Sequence, residues 1–77
     1  MSNFERLNRV FETVLADEGA KQFSLEATMD DIEGWNSLNF LEIIMEIESE
    51  FGVSIDGLDA AEMTSIQKIL EFLEKQS

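Results

Sequence analysis

The sequence predicts an all-α fold with three main helices, one short helix and long connections, including a long first loop. Apolar residues recur at three- and four-residue steps in three separate stretches, which is the helical period. The alternation of apolar and polar residues at 53–55 is too short to form a strand. The chain has 77 residues and no cysteine, so we expect one domain over residues 1–77 with a thin core and no disulfide.

The first helix is predicted to start at Ser2 or Asn3, since either side chain can cap it, and to end at Gly19. Its inward stripe consists of Phe4, Leu7, Val10, Phe11, Val14 and Leu15. The following connection, from about residue 19 to 36, is long for a small domain, and such loops are often functional. It contains four large apolar residues that should pin it to the core, namely Phe23, Leu25, Met29 and Ile32.

The second helix is predicted over about residues 37–51, capped by Asn36 or Ser37 and closed by Gly52. Its core face is formed by Phe40, Leu41, Ile43, Ile44, Ile47 and Phe51. Residues 56–63 are expected to hold a short helical turn. The last helix is predicted to begin at Thr64, with Gln67 completing a capping box. Its inward stripe is Ile66, Ile69, Leu70 and Leu73.

The net charge of −12, from 17 acidic and five basic residues, is concentrated in the middle of the chain. No Lys or Arg occurs between residues 22 and 67, where the acids are Glu26, Asp30, Asp31, Glu33, Glu42, Glu46, Glu48, Glu50, Asp56, Asp59 and Glu62. Such a surface repels phosphate backbones and anionic membranes, so it argues against nucleic acid or membrane insertion. A partner protein with a basic surface is the natural complement, although a charge run is also simply a solvated face.

Composition excludes several chemistries. Without histidine or cysteine the chain cannot form a Ser-His-Asp triad or a cysteine nucleophile, so an enzyme is the weakest of the functional classes. Asp30, Asp31 and Glu33 lack the ligand spacing of a calcium loop, and we expect no metal site. The N-terminal residues have no long apolar run, and no stretch is long enough to span a membrane. We therefore expect a cytoplasmic monomer.

The second helix carries two apolar residues off its core face. On a helical wheel, Leu38 and Met45 stand between Glu42 and Glu48, and Glu48 lies at the margin of the core arc with its carboxylate expected to turn outward. Glu42, Glu46 and Glu50 are spaced four apart and should repel each other, with no base nearby. Leu38 and Met45 either fill the edge of the core or form a docking surface for an apolar hollow surrounded by Arg and Lys.

Ser37 is the second candidate for function. A serine at a helix N-terminus lies where the dipole and the free N–H groups favour a phosphate. Without histidine it cannot be a histidine-activated nucleophile. It is therefore either a simple helix cap or a residue that another enzyme modifies.

The segment 31–51, DIEGWNSLNFLEIIMEIESEF, resembles the attachment-site helix of acyl carrier proteins. The resemblance extends over essentially the whole chain, including its length, its acidity, the long first loop and the sequence MTSIQ at 63–67. It implies an acyl-carrier-like four-helix bundle in which a phosphopantetheinyl transferase moves 4′-phosphopantetheine from coenzyme A to Ser37. The thiol of that arm would carry acyl groups as thioesters in lipid metabolism such as fatty acid biosynthesis, so the chain needs no cysteine.

The resemblance also implies roles for other residues. The positions that match the family's partner-recognition residues are Leu38, Glu42, Met45 and Glu48. Those that would border an acyl pocket are Ile43, Ile47, Met63 and Ile69. The chain departs from the fatty-acid members at Asn36, where they usually have Asp, and at Ile69, which is larger and would narrow the pocket. Its Gly34-Trp35 pair is more like carriers of specialised pathways.

The hypothesis from the sequence is therefore a non-catalytic acyl carrier that other enzymes modify and acylate. Its partners would be the transferase and acyl-transferring or synthase enzymes with basic patches. The alternative is an unmodified acidic interaction module, a decoy for a basic protein surface. In that case Ser37 would be no more than a cap.

Overall fold

The computed structural model describes residues 2–76, and the side chains of all of these except 16–20. It contains four helices in chain order: α1 (Asn3–Ala20), α2 (Phe40–Phe51), α3 (Gly57–Glu62) and α4 (Ile66–Gln76). Within residues 2–76 the only extended pairing is an isolated antiparallel bridge between Thr28 and Ser65. The all-α prediction, with three main helices and a short one, is confirmed. In the same part of the chain, no helix combines the length and the apolar character needed to cross a bilayer.

The N-terminus of α1 is a capping box. The Glu5 N–H donates to Ser2 Oγ at 3.2 Å, and the Ser2 N–H donates back to Glu5 Oε1 at 3.1 Å. Ser2 is therefore the cap, and Asn3 is the first residue of the helix. The hydrogen bond from the Ser2 backbone, followed by that from its hydroxyl, lowers the pKa of Glu5. The helix continues to Ala20, so the predicted end at Gly19 is wrong by one residue.

One buried apolar cluster joins α1, α2 and α4 with the connections between them. It consists of Leu7, Val10, Phe11, Ala27, Ile32, Trp35, Ile43, Ile44, Ile47, Met63, Ile66, Ile69 and Leu73. The members from the helices recur at the spacing that the sequence predicts for their inward stripes. Burial of these side chains is the main term that stabilises so small a fold.

The long first loop is held against the beginning of α4 by two backbone hydrogen bonds. The Met29 N–H donates to the Thr64 carbonyl at 2.8 Å, and the Ile66 N–H donates to the Ala27 carbonyl at 3.0 Å. Ile32 is buried, as predicted, but Leu25 is exposed and does not pin the loop.

Trp35, which the sequence analysis left out of the core, is the largest buried side chain of the first loop. It is only 2% exposed, and its ring packs edge-on against Phe11 with the ring centroids 5.0 Å apart. This contact anchors the end of the loop directly before α2.

The predicted start of α4 at Thr64 is wrong. The helix begins at Ile66, and its cap is Ser65, whose Oγ accepts a hydrogen bond from the Lys68 N–H at 3.2 Å. Thr64 cannot serve as the cap of the helix because its backbone is held in the pairing with Met29.

The short helix α3 is confirmed within the predicted residues 56–63. Asp56 caps it by accepting a hydrogen bond from the Asp59 N–H at 2.8 Å. Gly52 closes α2 as predicted, with a left-handed backbone at φ 65° and its N–H donating to the Glu48 carbonyl. Any other residue except asparagine would adopt this conformation at a cost.

Candidate functional site

Ser37 lies in a tight turn that precedes α2, rather than in the helix itself. Asn36 caps this turn: its Oδ1 accepts hydrogen bonds from the N–H groups of Leu38 and Asn39, at 2.9 and 3.3 Å. The Asn36 carbonyl accepts from the Asn39 N–H at 3.1 Å and from the Phe40 N–H at 2.8 Å. The N–H groups of Leu41 and Glu42 do not go on to bond the carbonyls of Ser37 and Leu38, so the helical bond pattern is interrupted here, the predicted start at residue 37 is wrong, and α2 begins at Phe40.

The turn is braced from the side of the preceding loop. Asn39 Nδ2 donates to the Gly34 carbonyl at 2.9 Å. Gly34 has a backbone φ of 89°, and a Cβ at this position would lie 3.1 Å from Leu15 Cδ2, so both conformation and space favour glycine. Buried Trp35 lies between Gly34 and Asn36 in the chain and fixes the segment to the core.

The Ser37 side chain is exposed, and its hydroxyl makes no hydrogen bond to any residue in the range 2–76. The nearby N–H groups of Leu38 and Asn39 are already engaged by the Asn36 side chain. The site therefore offers the free hydroxyl of Ser37 on a hydrogen-bonded turn. Because Asn36 already engages two backbone N–H groups, fewer of them are left to bind a phosphate.

The outward face of α2 is more apolar than the sequence indicated. Leu38 is 87% exposed and Met45 is 58% exposed, so neither fills the edge of the core. Leu41 is 65% exposed, and its predicted place in the core face is wrong. The helix buries only a narrow stripe, Ile43, Ile44 and Ile47, and this stripe joins the apolar cluster that also contains residues of α1 and α4.

Glu48 does not turn its carboxylate outward, so this expectation is wrong. Its Oε2 accepts a hydrogen bond from the Ile55 N–H at 2.8 Å in a partly buried position. The chain turns back at Gly52, which brings the amide of Ile55 to the last turns of α2. A helical wheel shows the residues of one helix only, so it could not reveal that Ile55 lies next to Glu48.

The carboxylates of α2 have basic neighbours, contrary to the expectation from the sequence. Arg6 of α1 places Nε 3.1 Å from Glu50 Oε2, donates through Nη2 to the Glu50 carbonyl at 2.6 Å, and stacks over the Phe51 ring at 4.4 Å. Arg9 lines a surface cavity together with Glu46 and Glu50. Glu42 is exposed and has no ion pair within residues 2–76, so it is the most available carboxylate of the helix.

The four residues expected around an acyl pocket are brought together. Ile43, Ile47, Met63 and Ile69 are all buried in the same apolar cluster. Met63 also reaches a surface cavity of about 400 Å³ that Phe72 and Lys68 help to line.

The Asp31 carboxylate holds the first loop through hydrogen bonds to Thr28. Its Oδ2 accepts hydrogen bonds from the N–H and the hydroxyl of Thr28, at 2.9 and 3.1 Å. In the part of the chain that the structure describes, no three acidic, histidine or cysteine residues are grouped so that they could hold a metal ion.

Comparison with known proteins places this geometry in a class. The family described as "Phosphopantetheine attachment site" matches residues 5–73, so the fold is that of a carrier domain of this class. Similar proteins include the acyl carrier protein of Trieres chinensis, which is 31% identical over 96% of this chain and 91% of its own length. The acyl carrier protein of Phaeodactylum tricornutum is 33% identical over 95% of both chains, and that of Chlorobium phaeovibrioides is 30% identical over 99% and 100%.

The chain belongs to the acyl carrier protein family. Its function is that of an acyl carrier, and its cofactor is 4′-phosphopantetheine. Fatty acid biosynthesis is typical of this family. An exposed hydroxyl on a braced turn fits covalent attachment of such an arm.

Proposed function

We propose that this protein carries acyl groups on a 4′-phosphopantetheine arm attached to Ser37 Oγ. The observation that supports this most directly is the exposed and unbonded hydroxyl of Ser37 on the turn that Asn36 caps. The attachment turn is held in place from outside by Asn39 and Trp35. An approaching enzyme would thus find the backbone of Ser37 held in place and its hydroxyl accessible.

The chain supplies the acceptor and its support, while other enzymes supply the catalysis. In the loading step, Ser37 Oγ loses its proton and bonds to the phosphorus of the phosphopantetheine half of coenzyme A, and the bond from that phosphorus to the nucleotide half breaks. Once bound, the arm supplies the thiol that holds an acyl group as a thioester. Ser37 has no histidine to activate it in this chain, so activation falls to the transferase.

The partner-recognition surface that we propose is the outward face of α2 together with Leu38 of the turn before it. Exposed Leu38 and Met45 provide apolar contacts, and Glu42 provides an unpaired carboxylate for a basic patch on the transferase or on an acyl-transferring enzyme. Glu48 also matches a partner-recognition residue by resemblance. Its carboxylate, however, accepts the hydrogen bond of the Ile55 N–H, so we expect a substitution of Glu48 to affect the stability of the fold before it affects recognition.

For the acyl chain we propose the apolar cluster between α2 and α4, bordered by Ile43, Ile47, Met63 and Ile69. Its support is the burial of all four residues in one continuous cluster. Their close packing means that the helices would have to separate slightly to admit a chain.

The experiment compares two serine variants. We expect Ser37→Ala to gain no mass after incubation with coenzyme A and a broad-specificity phosphopantetheinyl transferase, whereas the wild type gains one phosphopantetheine. Because Asn36 supplies the cap, Ser37→Ala should change the free energy of unfolding by less than about 0.5 kcal/mol.

The matched control is Ser54→Ala, at an exposed serine of the connection between α2 and α3, which should load like the wild type. Loading of Ser37→Ala would show that the attachment residue is wrong. A folded wild type that is never loaded would favour the acidic interaction module instead.

A further inference from the structure

A surface cleft of about 430 Å³ lies between α1 and α2, and we call it the α1–α2 cleft. It is lined by Thr13, Val14, Glu42, Met45, Glu46 and Ser49. Val14 is half-buried against the core, and Met45 is exposed, so an apolar wall from each helix meets in the cleft. The cleft has room for one leucine or phenylalanine side chain.

The charge of the α1–α2 cleft distinguishes it from three other cavities of the described residues. Those cavities are lined by at least one base each: Arg9 in one, Arg6 in another, and Lys68 with Lys75 in the third. The α1–α2 cleft contains two carboxylates, Glu42 and Glu46, and no base. Arg6 pairs with Glu50, and Arg9 lines the neighbouring cavity together with Glu46, so Glu42 is the carboxylate of the cleft that shares no described cavity with a base.

The α1–α2 cleft is continuous with the face of α2 that we assign to partner recognition. Glu42 and Met45 belong to both surfaces. Exposed Leu38 and Leu41 extend the apolar area on the α2 side, and Val14 extends it onto α1. A partner that packs against Met45 from the side of the cleft would therefore also contact α1.

From these observations we propose that the α1–α2 cleft is part of the docking surface and receives one apolar side chain of a basic partner helix. Glu42 and Glu46 are one helical turn apart, which matches two Lys or Arg residues one turn apart on such a helix. The apolar side chain between those bases would enter the cleft against Val14 and Met45. This inference rests on the proposed function, since it adds α1 to the surface that partners would recognise.

The test places a positive charge at either wall of the cleft. Thr13→Arg alters the α1 wall and Ser49→Arg the α2 wall, and both residues are exposed. The Thr13 hydroxyl bonds only to the Arg9 carbonyl of its own helix, so its loss leaves the helical ladder intact. Gln67→Arg, on the exposed surface of α4, is the matched control with the same change in charge.

The probe is a synthetic amphipathic peptide with one leucine between two arginines spaced one helical turn apart. Its affinity is measured by calorimetry, and its site by amide chemical shifts. We expect Thr13→Arg and Ser49→Arg to weaken binding by about tenfold, and Gln67→Arg by no more than about twofold. In the wild type, the largest shifts should include Thr13, Val14 and Ser49, and a peptide with glutamates in place of the arginines should not bind.

An equal loss in all three variants, or shifts confined to the outward face of α2, would overturn the role of the cleft. The mass gain of the same samples with the transferase separates this outcome from a failure of the carrier function. If the wild type is loaded but Thr13→Arg and Ser49→Arg bind the peptide as tightly as the wild type does, only the cleft assignment is wrong. If the wild type is never loaded, the carrier proposal itself is wrong.

Discussion

Glu48 shows how one side chain can link two parts of the fold. Its carboxylate accepts the hydrogen bond of the Ile55 N–H in a partly buried position, so it holds the connection between α2 and α3 against the end of α2. Removal of such a partner from a backbone N–H that is shielded from water destabilises the fold, because the N–H is left without a hydrogen bond. Glu48 therefore contributes to stability before it contributes to recognition.

We expect Glu48→Ala to lower the free energy of unfolding by about 1–3 kcal/mol, because the Ile55 N–H loses its partner. Glu42→Ala removes the same charge from the exposed side of α2 and should change stability by less than about 0.5 kcal/mol. Glu48→Gln should lower the free energy of unfolding less than Glu48→Ala does, because the glutamine amide oxygen can still accept the hydrogen bond of the Ile55 N–H. Urea denaturation measures all three, and equal small losses in both alanine variants would show that the Ile55 contact is unimportant.

Local sequence patterns offered Asn36 or Ser37 as the cap before α2, and the structure makes Asn36 the cap. They could not reveal that Asn36 alone supplies the cap, because that depends on the geometry of the turn. Trp35 was missed as a core residue because its burial depends on Phe11, which belongs to a different helix. Leu41 was misplaced because a wheel does not show how much of a helix its neighbours cover.

The beginnings of α1 and α4 illustrate what a short pattern can and cannot predict. The cap of α1 is a contact within one turn, and the sequence identified Ser2 as a candidate. At α4 the local pattern Thr64–Gln67 was wrong, since Thr64 pairs with Met29 in the first loop. A pairing between segments distant in sequence overrode the local preference.

The capping box of α1 makes its contribution to stability dependent on pH. Glu5 has a folded pKa below its ordinary value of 4.5, so its contribution is present above that pH and is lost as the pH falls through the lowered pKa. Ser2→Ala removes the two hydrogen bonds of the Ser2 hydroxyl, one of which helps to lower the pKa of Glu5, and keeps the bond from the backbone N–H of residue 2 to Glu5. The difference in stability between wild type and Ser2→Ala should therefore be largest near neutral pH and shrink on acidification.

Thermal unfolding at a series of pH values checks this expectation. Asn3→Ala, next to the cap but not part of it, is the control and should follow the wild type at all pH values. A difference between wild type and Ser2→Ala that stays constant into the acidic range would mean that Glu5 is not the partner that matters.

The charge of the whole molecule opposes its compact state. Seventeen acidic residues face five bases, and the middle of the chain has acids alone. The ion pair of Arg6 with Glu50 offsets part of the repulsion, but its side chains are 35% and 36% exposed, and such a pair contributes at most about 1 kcal/mol. Repulsion among the remaining carboxylates is therefore the larger effect.

We expect the melting temperature to rise when salt or Mg²⁺ is added to a low-salt solution, because screening weakens carboxylate repulsion more than it weakens the exposed ion pair of Arg6 with Glu50. A double variant, Glu42→Gln with Glu46→Gln, should respond less to salt than the wild type does. Calorimetry across ionic strength measures both, and a melting temperature independent of salt would contradict the dominance of repulsion.

The overall architecture was predictable because the helical stripes and the acidity are properties of composition and spacing. The packing of the helices against one another was not predictable, and it determines which carboxylates have a base nearby. Arg6 and Arg9 lie far from Glu46 and Glu50 in the sequence but beside them in the fold. The α1–α2 cleft likewise exists only once α1 packs against α2.

The most direct measurement is the mass of the protein after sequential loading with the phosphopantetheinyl transferase and an acyl-coenzyme A, followed by peptide mapping. The arm and its acyl group should both be found on the peptide that contains Ser37, and hydroxylamine should release the acyl group while the arm remains. An arm on any other residue, or a folded protein that accepts none, would contradict the assignment of Ser37 as the carrier site.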